Sequence, residues 1–133
     1  MEKAFVTGCY DIVHVGHIEL FKYCKSIADW LVVGVDTDDR VKKAKGPERP
    51  INNLDARIEF LKAIRYVDEI FVFGSDEELI QNLIDHDPDY RVLGSDYKGS
   101  EKIVGEEVTN NMVFFDRVGD YSTTNIIRKT NSS

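Results

Sequence analysis

The chain has 133 residues, of which 42% are hydrophobic and 31% charged, and its formal net charge is −7. This length and composition predict one soluble globular domain. The negative charge argues against a general nucleic-acid binder, because it repels phosphate backbones. No apolar run approaches the roughly 20 residues that span a bilayer, and the N-terminus lacks the layout of a signal peptide. We therefore expect a cytoplasmic protein that is not attached to a membrane.

Apolar runs and amphipathic segments alternate along the first half of the chain. KAFVTG predicts a short strand that ends at Gly8, and HIELFKYCKSI has the apolar spacing of one helix face. WLVVGVDTD predicts a buried strand. VKKAKGPERPINN contains glycine and two prolines and predicts a loop, and LDARIEFLKAI predicts a second helix.

The second half continues the alternation. EIFVFG predicts a third strand, and the helix predicted for SDEELIQNLIDHD begins with a capping-box spacing at Ser75 and Glu78. YRVLGS and MVFFDR predict two more strands. STTNIIRKT predicts a last short helix, capped by Ser122 or Thr123. We expect a single domain over residues 1–128, followed by a flexible tail over 129–133.

Strands that alternate with helices predict an α/β fold in which helices cover both faces of a mostly parallel, five-stranded sheet. Ligands bind beyond the carboxyl ends of the strands in such sheets. Four polar or glycine-containing loops follow predicted strands, so they are expected to converge there: 8–17, 36–49, 94–98 and 117–124.

The first of these loops, TGCYDIVHVGH, carries the clearest chemical signal. Gly8 permits a tight turn after the strand, and His14 and His17 fall near the start of the first helix, on one face. A helix N-terminus attracts anions, and Gly16 lets a ligand approach the backbone. Imidazoles can donate hydrogen bonds to phosphate oxygens and stabilise charge that develops during phosphoryl transfer.

Other interpretations of the histidines remain open on pattern alone. A histidine near a helix start can be a cap or a surface residue, and a zinc site is a further alternative, although no third ligand is obvious. The two cysteines are too few for a disulfide framework. We interpret Cys24 as a small buried core residue.

Two distant motifs resemble those of one enzyme family. GCYDIVHVGH resembles the signature G-[TC]-[FY]-D-x-x-H-x-G-H of the nucleotidylyltransferases. RVGDYSTTNII, from Arg117, resembles the R-x-x-x-x-S-T-T segment of the glycerol-phosphate cytidylyltransferases, and RYVDE resembles their helix-to-strand junction. The resemblance implies a Rossmann-like, three-layer α/β/α domain that directs attack on the α-phosphate of a nucleoside triphosphate and releases pyrophosphate.

Other segments resemble a sister group, the heptose-phosphate adenylyltransferases, which are often fused to a sugar kinase domain. KGPERPIN resembles their K-G-x-x-R-P-V-N loop, GSDYKG resembles their G-G-D-Y-K segment, and Cys9 and STTNII point the same way. Arg117 points to the cytidylyltransferases instead. Transfer of CMP to glycerol 3-phosphate is slightly favoured, ADP-heptose synthesis is the alternative, and adenylylation of a cofactor phosphate or a non-catalytic nucleotide-binding module are further ones.

The resemblance also implies roles for individual residues. His14, His17 and Lys45 are expected to be catalytic, and Asp11, Arg65 and Arg117 to bind the acceptor. The residues expected to bind the nucleotide are Gly8, Cys9, Tyr10, Gly16, Lys43, Asp96, Ser122, Thr123 and Thr124.

Several of these residues have simpler alternatives. Asp11 could order the turn, touch the acceptor or touch a metal, and Arg65 could pair with Asp68. Arg57 could equally form a surface salt bridge, and the lysines could belong to a solvated loop. We expect Mg²⁺ to be carried by the triphosphate, which is CTP or ATP, without a dedicated protein site. We also expect a homodimer.

Overall fold

The structure, a computed structural model, describes residues 1–94 and 103–116. The last predicted helix and the tail lie outside these residues. So do five residues that the sequence singles out in the third and fourth loops: Asp96, Arg117, Ser122, Thr123 and Thr124.

Five strands form one sheet in which every neighbouring pair is parallel. The strands are β1 (Lys3–Gly8), β2 (Trp30–Asp36), β3 (Glu69–Phe73), β4 (Tyr90–Gly94) and β5 (Met112–Phe115). Their order is β3-β2-β1-β4-β5. The predicted α/β class and five-stranded sheet are confirmed, and the sheet is parallel throughout.

Four α-helices connect the strands: α1 (Val15–Ile27), α2 (Asp38–Lys45), α3 (Leu54–Lys62) and α4 (Asp76–His86). A short 3₁₀ helix, Glu106–Val108, precedes β5. None of the helices in residues 1–94 and 103–116 is long and apolar enough to cross a membrane.

The prediction of a loop from Val41 onward is wrong for its first residues, because they belong to α2. Thr37 caps this helix by accepting a hydrogen bond from the Arg40 N–H at 3.3 Å. Acidic residues in the first turn and lysines in the last turn interact favourably with the helix dipole and stabilise α2. Gly46, at φ 104°, ends the helix in a backbone conformation that suits glycine.

Alternation along the strands builds two apolar layers. In β1, Ala4 and Val6 face the layer that contains Phe21 and Cys24 of α1, whereas Phe5 faces the opposite layer, which contains α4 residues. Helices therefore cover both faces of the sheet, as predicted. Cys24 is fully buried, and burial raises the pKa of its thiol to about 12, which confirms its interpretation as a core residue.

The strand order positions the functional site. The chain proceeds outward from β1 through β2 to β3 and then returns to β4 on the other side of β1. Strand order therefore reverses between β1 and β4, and the crevice at such a switch point is where open α/β sheets bind ligands. The loop with the two histidines leaves the carboxyl end of β1 at this place.

Candidate active site

The two histidines form the start of α1. His14 is the N-cap, and its Nδ1 accepts a hydrogen bond from the Gly16 N–H at 3.1 Å. Nδ1 of His17 accepts in turn from the His14 N–H at 3.2 Å. The two rings stack with their centroids 3.9 Å apart. The predicted placement of both histidines on one face of the helix start is confirmed.

These hydrogen bonds indicate which ring nitrogen of each histidine carries the proton. A ring nitrogen that accepts from a backbone N–H carries no proton, so the neutral ring holds its proton on Nε2. Each imidazole therefore has an Nε2–H donor on the side opposite its cap. The capping interpretation of the histidines is thus correct, and it is compatible with phosphate binding because the two roles use different nitrogens.

Tyr10 supports the pair from beneath. Its ring lies 5.2 Å from the His17 ring and 5.5 Å from that of Phe21, and the residue is buried. The tight turn was expected at Gly8, but in the loop between β1 and α1 the positive φ, 50°, belongs to Tyr10. Gly8 serves a different need, since a Cβ there would lie 3.0 Å from the Tyr10 ring.

Asp11 orders the loop that precedes α3, which is the first of its predicted alternatives. Its buried carboxylate accepts from the Ile51 N–H at 2.8 Å and from the Asn52 N–H at 2.7 Å. Arg49 Nε donates to the same carboxylate at 3.1 Å. Because these donors occupy both carboxylate oxygens, direct contact of Asp11 with the acceptor or a metal has no support in this geometry.

Arg57 is the residue whose role the sequence prediction missed most clearly. It is 0% exposed and not part of a surface salt bridge. Its Nη1 donates to the carbonyls of Cys9 at 2.9 Å and Asp36 at 2.7 Å, and Nη2 donates to Asp38 at 2.6 Å. It thereby ties the carboxyl ends of β1 and β2 together. The sequence does contain a signal for this burial: Arg57 follows Leu54 by three residues and so lies on the apolar face of α3.

Lys45 lies close enough to Cys9 and Asp36 for its positive charge to affect both groups. Burial raises the pKa of the Cys9 thiol, and the positive charges of Lys45 and Arg57 oppose that rise. Burial also raises the pKa of Asp36, again against nearby positive charges that include Lys45. Lys45 therefore contributes positive potential at the ends of β1 and β2, next to the histidine loop.

Lys43 is placed differently. Two residues along a helix are separated by about 200°, so Lys43 and Lys45 occupy opposite sides of the last turn of α2. Lys43 lines a cavity of about 510 Å³ between α2 and the start of α4, together with Arg40 and Asp76. The structure does not bring the two lysines together, and their expected roles at the nucleotide remain predictions.

Arg65 lies at the other end of the sheet. It follows α3 and precedes β3, so it belongs to the amino edge of the strands. Its guanidinium stacks on the Tyr66 ring at 5.0 Å. Asp68, the alternative partner, pairs with Lys25 at 2.8 Å instead. Contact between Arg65 and the acceptor remains a prediction that this placement does not support within one chain.

In the part of the chain that the structure describes, no group of three His, Cys, Asp or Glu side chains could hold a metal ion. Mg²⁺ commonly uses phosphate oxygens and waters at nucleotide sites, with few protein ligands. Binding of Mg²⁺ through a triphosphate stays a prediction.

The fold and these contacts define a class of protein. An N-terminal helix turn with two Nε2–H donors lies at the switch point of a parallel sheet, and Lys45 and the buried Arg57 supply positive charge behind it. The chemistry of these groups suits the binding of a polyphosphate and does not require a Ser-His-Asp nucleophile. These are the features of a Rossmann-like nucleotidyltransferase.

Comparison with known proteins agrees with this class. The family model described as cytidylyltransferase-like matches residues 5–129. The chain belongs to this family.

Similar proteins include several bacterial proteins called bifunctional protein HldE. The one from Campylobacter fetus subsp. fetus is 44% identical over 126 residues, which are 94% of this chain and 27% of the relative. The one from Helicobacter hepaticus is 38% identical over 131 residues, 97% of this chain and 26% of the relative. The chain thus spans about a quarter of the length of these relatives.

Solved structures give the same fold. The lipopolysaccharide core biosynthesis protein from Thermoplasma volcanium superimposes with a TM-score of 0.76 at 27% identity, over 89% of this chain and 98% of that one. Pantothenate synthetase from Thermus thermophilus superimposes with a TM-score of 0.67 at 14% identity, over 98% of this chain and 64% of that one, and shows likeness of fold alone.

Proposed function

We propose that this chain transfers AMP from ATP to the phosphate of a sugar phosphate, heptose 1-phosphate or a close analogue, and releases pyrophosphate. The observation that carries the reaction class is the His14–His17 capping box, because it fixes two Nε2–H donors at a helix N-terminus.

The choice of ATP and a sugar acceptor has separate support. KGPERPIN and GSDYKG resemble the heptose-phosphate adenylyltransferases, a group often fused to a sugar kinase. The relatives are called bifunctional, and the chain matches about a quarter of their length, as one domain of a fused pair would. The solved neighbour is named for lipopolysaccharide core biosynthesis.

The sequence slightly favoured CMP transfer to glycerol 3-phosphate, on Arg117 and RYVDE. Among the relatives named above, none specifically supports that choice. It therefore becomes the second candidate.

The proposed chemistry asks for positioning and charge neutralisation. An oxygen of the acceptor phosphate attacks the α-phosphorus of ATP and forms the new P–O bond. The bond between the α-phosphorus and its bridging oxygen breaks on the opposite side, and pyrophosphate leaves with that oxygen. The acceptor is already an anion, so no strong general base is needed.

The chain's own groups stabilise the charge that this step shifts. In our proposal His14 and His17 donate through Nε2–H to the α- and β-phosphates, and the backbone N–H groups at the start of α1 bind the same anions. Lys45 adds a charge near the leaving group. Mg²⁺, when bound, screens the triphosphate charge.

The first test is pyrophosphate release by purified protein with Mg²⁺, in a grid of ATP and CTP against heptose 1-phosphate, glycerol 3-phosphate and pantetheine phosphate, with product mass as the second readout. We expect turnover with ATP and heptose 1-phosphate. If only the combination of CTP and glycerol 3-phosphate gives turnover, the second candidate function replaces the proposed one. Binding of ATP without pyrophosphate release in any well would indicate a nucleotide-binding module.

We also propose a homodimer, as the family resemblance implied, and a location in the cytoplasm. Sedimentation equilibrium across a range of concentrations tests the dimer. A single species of monomer mass at micromolar concentration would contradict it.

A further inference from the structure

Arg49 stands out among the residues that the proposed mechanism does not use. It lies in the loop between α2 and α3, inside the KGPERPIN segment. Its Nε is bound to Asp11, but its Nη2 is buried and has no hydrogen-bond partner among the residues that the structure describes. Buried donors are normally paired, so an exception calls for an explanation.

The loop around Arg49 is fixed at the active site. Asp11, three positions before the cap of α1, binds the Ile51 and Asn52 N–H groups as well as Arg49 Nε. The Asn52 carbonyl accepts from Arg57, which also holds the ends of β1 and β2. The guanidinium of Arg49 is thus held in place before any ligand arrives, which lowers the entropic cost of binding.

The electrostatics favour an anionic ligand. The Asp11 carboxylate would repel phosphates if it stood alone, and Arg49 compensates its charge at 3.1 Å. Because only Nε is used in that pair, the terminal nitrogens remain on the guanidinium as further donors. The side chain is 13% exposed, so it borders the solvent and is not sealed in the core.

The in-line geometry indicates which anion this is. The α1 N-terminus and Lys45 are assigned to the triphosphate, and the acceptor oxygen must approach the α-phosphorus from the side opposite pyrophosphate. The acceptor phosphate therefore needs a cationic group of its own. A guanidinium suits it, because its planar fork can donate two parallel hydrogen bonds to a phosphate.

We propose that Arg49, held by Asp11, binds the phosphate of the acceptor. This rests on the proposed function and adds to it a residue that contacts the substrate. The KGPERPIN loop would then be the part of the site that reads the acceptor, whereas the histidine loop reads the triphosphate.

The test measures binding directly, so that it does not depend on turnover. Calorimetry determines the affinity for heptose 1-phosphate in the presence of saturating α,β-methylene-ATP, and separately the affinity for the ATP analogue. We expect Arg49→Gln to weaken the sugar phosphate at least about tenfold, the loss typical of one charged hydrogen bond. The affinity for the ATP analogue should stay within about twofold.

Matched variants separate binding from folding. Lys25→Gln removes one positive charge at the surface pair with Asp68 and should leave both affinities unchanged. Arg49→Gln alone leaves a buried carboxylate uncompensated, so Asp11→Asn is compared with Asp11→Asn/Arg49→Gln, in which no such charge remains. The double variant should bind the sugar phosphate at least about tenfold more weakly than Asp11→Asn.

The outcomes distinguish this inference from the proposed function. If wild-type protein binds the sugar phosphate but does not turn over, the reaction is wrong and Arg49 can still be correct. If wild type turns over and neither comparison shows weaker binding, Arg49 is not the acceptor residue. Equal losses for the sugar phosphate and the ATP analogue, or no sugar-phosphate binding by wild type, would also overturn the inference.

Discussion

Two parts of the site are built in opposite ways. The histidine turn is local: His14, Gly16 and His17 bind one another within four residues of chain. The layer behind it is non-local, because Arg57 reaches the Cys9 carbonyl across 48 positions and Asp36 across 21. The histidine turn carries the donors proposed for the phosphates. The buried layer, which consists of Arg57 and its partners at the ends of β1 and β2, fixes the position of the turn.

This difference predicts different consequences of mutation. Residues of the local turn border the ligand, so their loss should reduce activity and leave the fold nearly intact. The fully buried Arg57 satisfies two backbone carbonyls and a carboxylate at the ends of β1 and β2, so its loss should reduce stability first. The four predictions below are arranged from the largest expected effect to the smallest.

Substitution of Arg57 should have the largest effect. Arg57→Met leaves the carbonyls of Cys9 and Asp36 without their buried donor, and we expect a loss of about 3–5 kcal/mol in the free energy of unfolding. Urea denaturation, read as a shift in midpoint, measures it. Arg40→Gln is the control, since the exposed pair with Asp76 should contribute less than about 1 kcal/mol. Similar losses for both variants would show that the buried layer is not special.

His14 allows capping and catalysis to be separated. His14→Ala should lose about 1 kcal/mol of stability with its cap and reduce kcat about 10²–10³-fold, as removal of one transition-state donor does. Asparagine is itself a good N-cap, so His14→Asn should keep the stability and lose the same activity. An active, stable Asn variant would mean that capping is the only role of His14.

The lysines of α2 test the charge assignment. Lys45→Ala should raise the KM for the nucleoside triphosphate about tenfold, the value of one charged hydrogen bond, because the charge of Lys45 acts at the ends of β1 and β2. Lys43→Ala should have a smaller effect, since Lys43 lines the cavity on the other side of the helix. Steady-state kinetics with the accepted nucleotide decides between them, and a larger effect at Lys43 would reverse the assignment.

Substitution of Glu69 should have the smallest effect, which is a small loss of stability. A hydrogen bond with the His86 ring, 2.7 Å long, lowers the pKa of Glu69 below its ordinary 4.5. The resulting stabilisation is present above that ordinary value and is lost as pH falls through the lowered one. Because the Glu69 side chain is 42% exposed, we expect Glu69→Gln to cost less than about 1 kcal/mol at pH 7.

Thermal unfolding of wild type and Glu69→Gln from pH 3 to 7 measures this dependence. The two curves should converge at the acidic end, where the carboxylate is protonated in both the folded and the unfolded chain. A gap that widens with acidification would contradict the sign of the pKa shift.

The sequence predicted most of the fold because the signals are local and strong. β1 and the apolar faces of α1 and α3 follow directly from residue periodicity, and the strand bounds agree with the predicted runs. The errors have physical causes. α2 is a polar helix whose formation depends on its caps and on the charges at both ends. Its sequence has no apolar periodicity from which the helix could have been predicted. Arg57 was misjudged because a charged residue on an apolar face is usually at the surface.

The sequence by itself determined the α/β class, the family, the histidine pair and the charge that the site must supply, because all of these are carried by neighbouring residues or by motifs. Only the tertiary structure decided which groups support them. It assigned Asp11 to the loop before α3 and buried Arg57 beneath two strand ends. These pairings join distant positions, and the physical reason is that burial leaves each polar group only the partners that packing brings within hydrogen-bond distance.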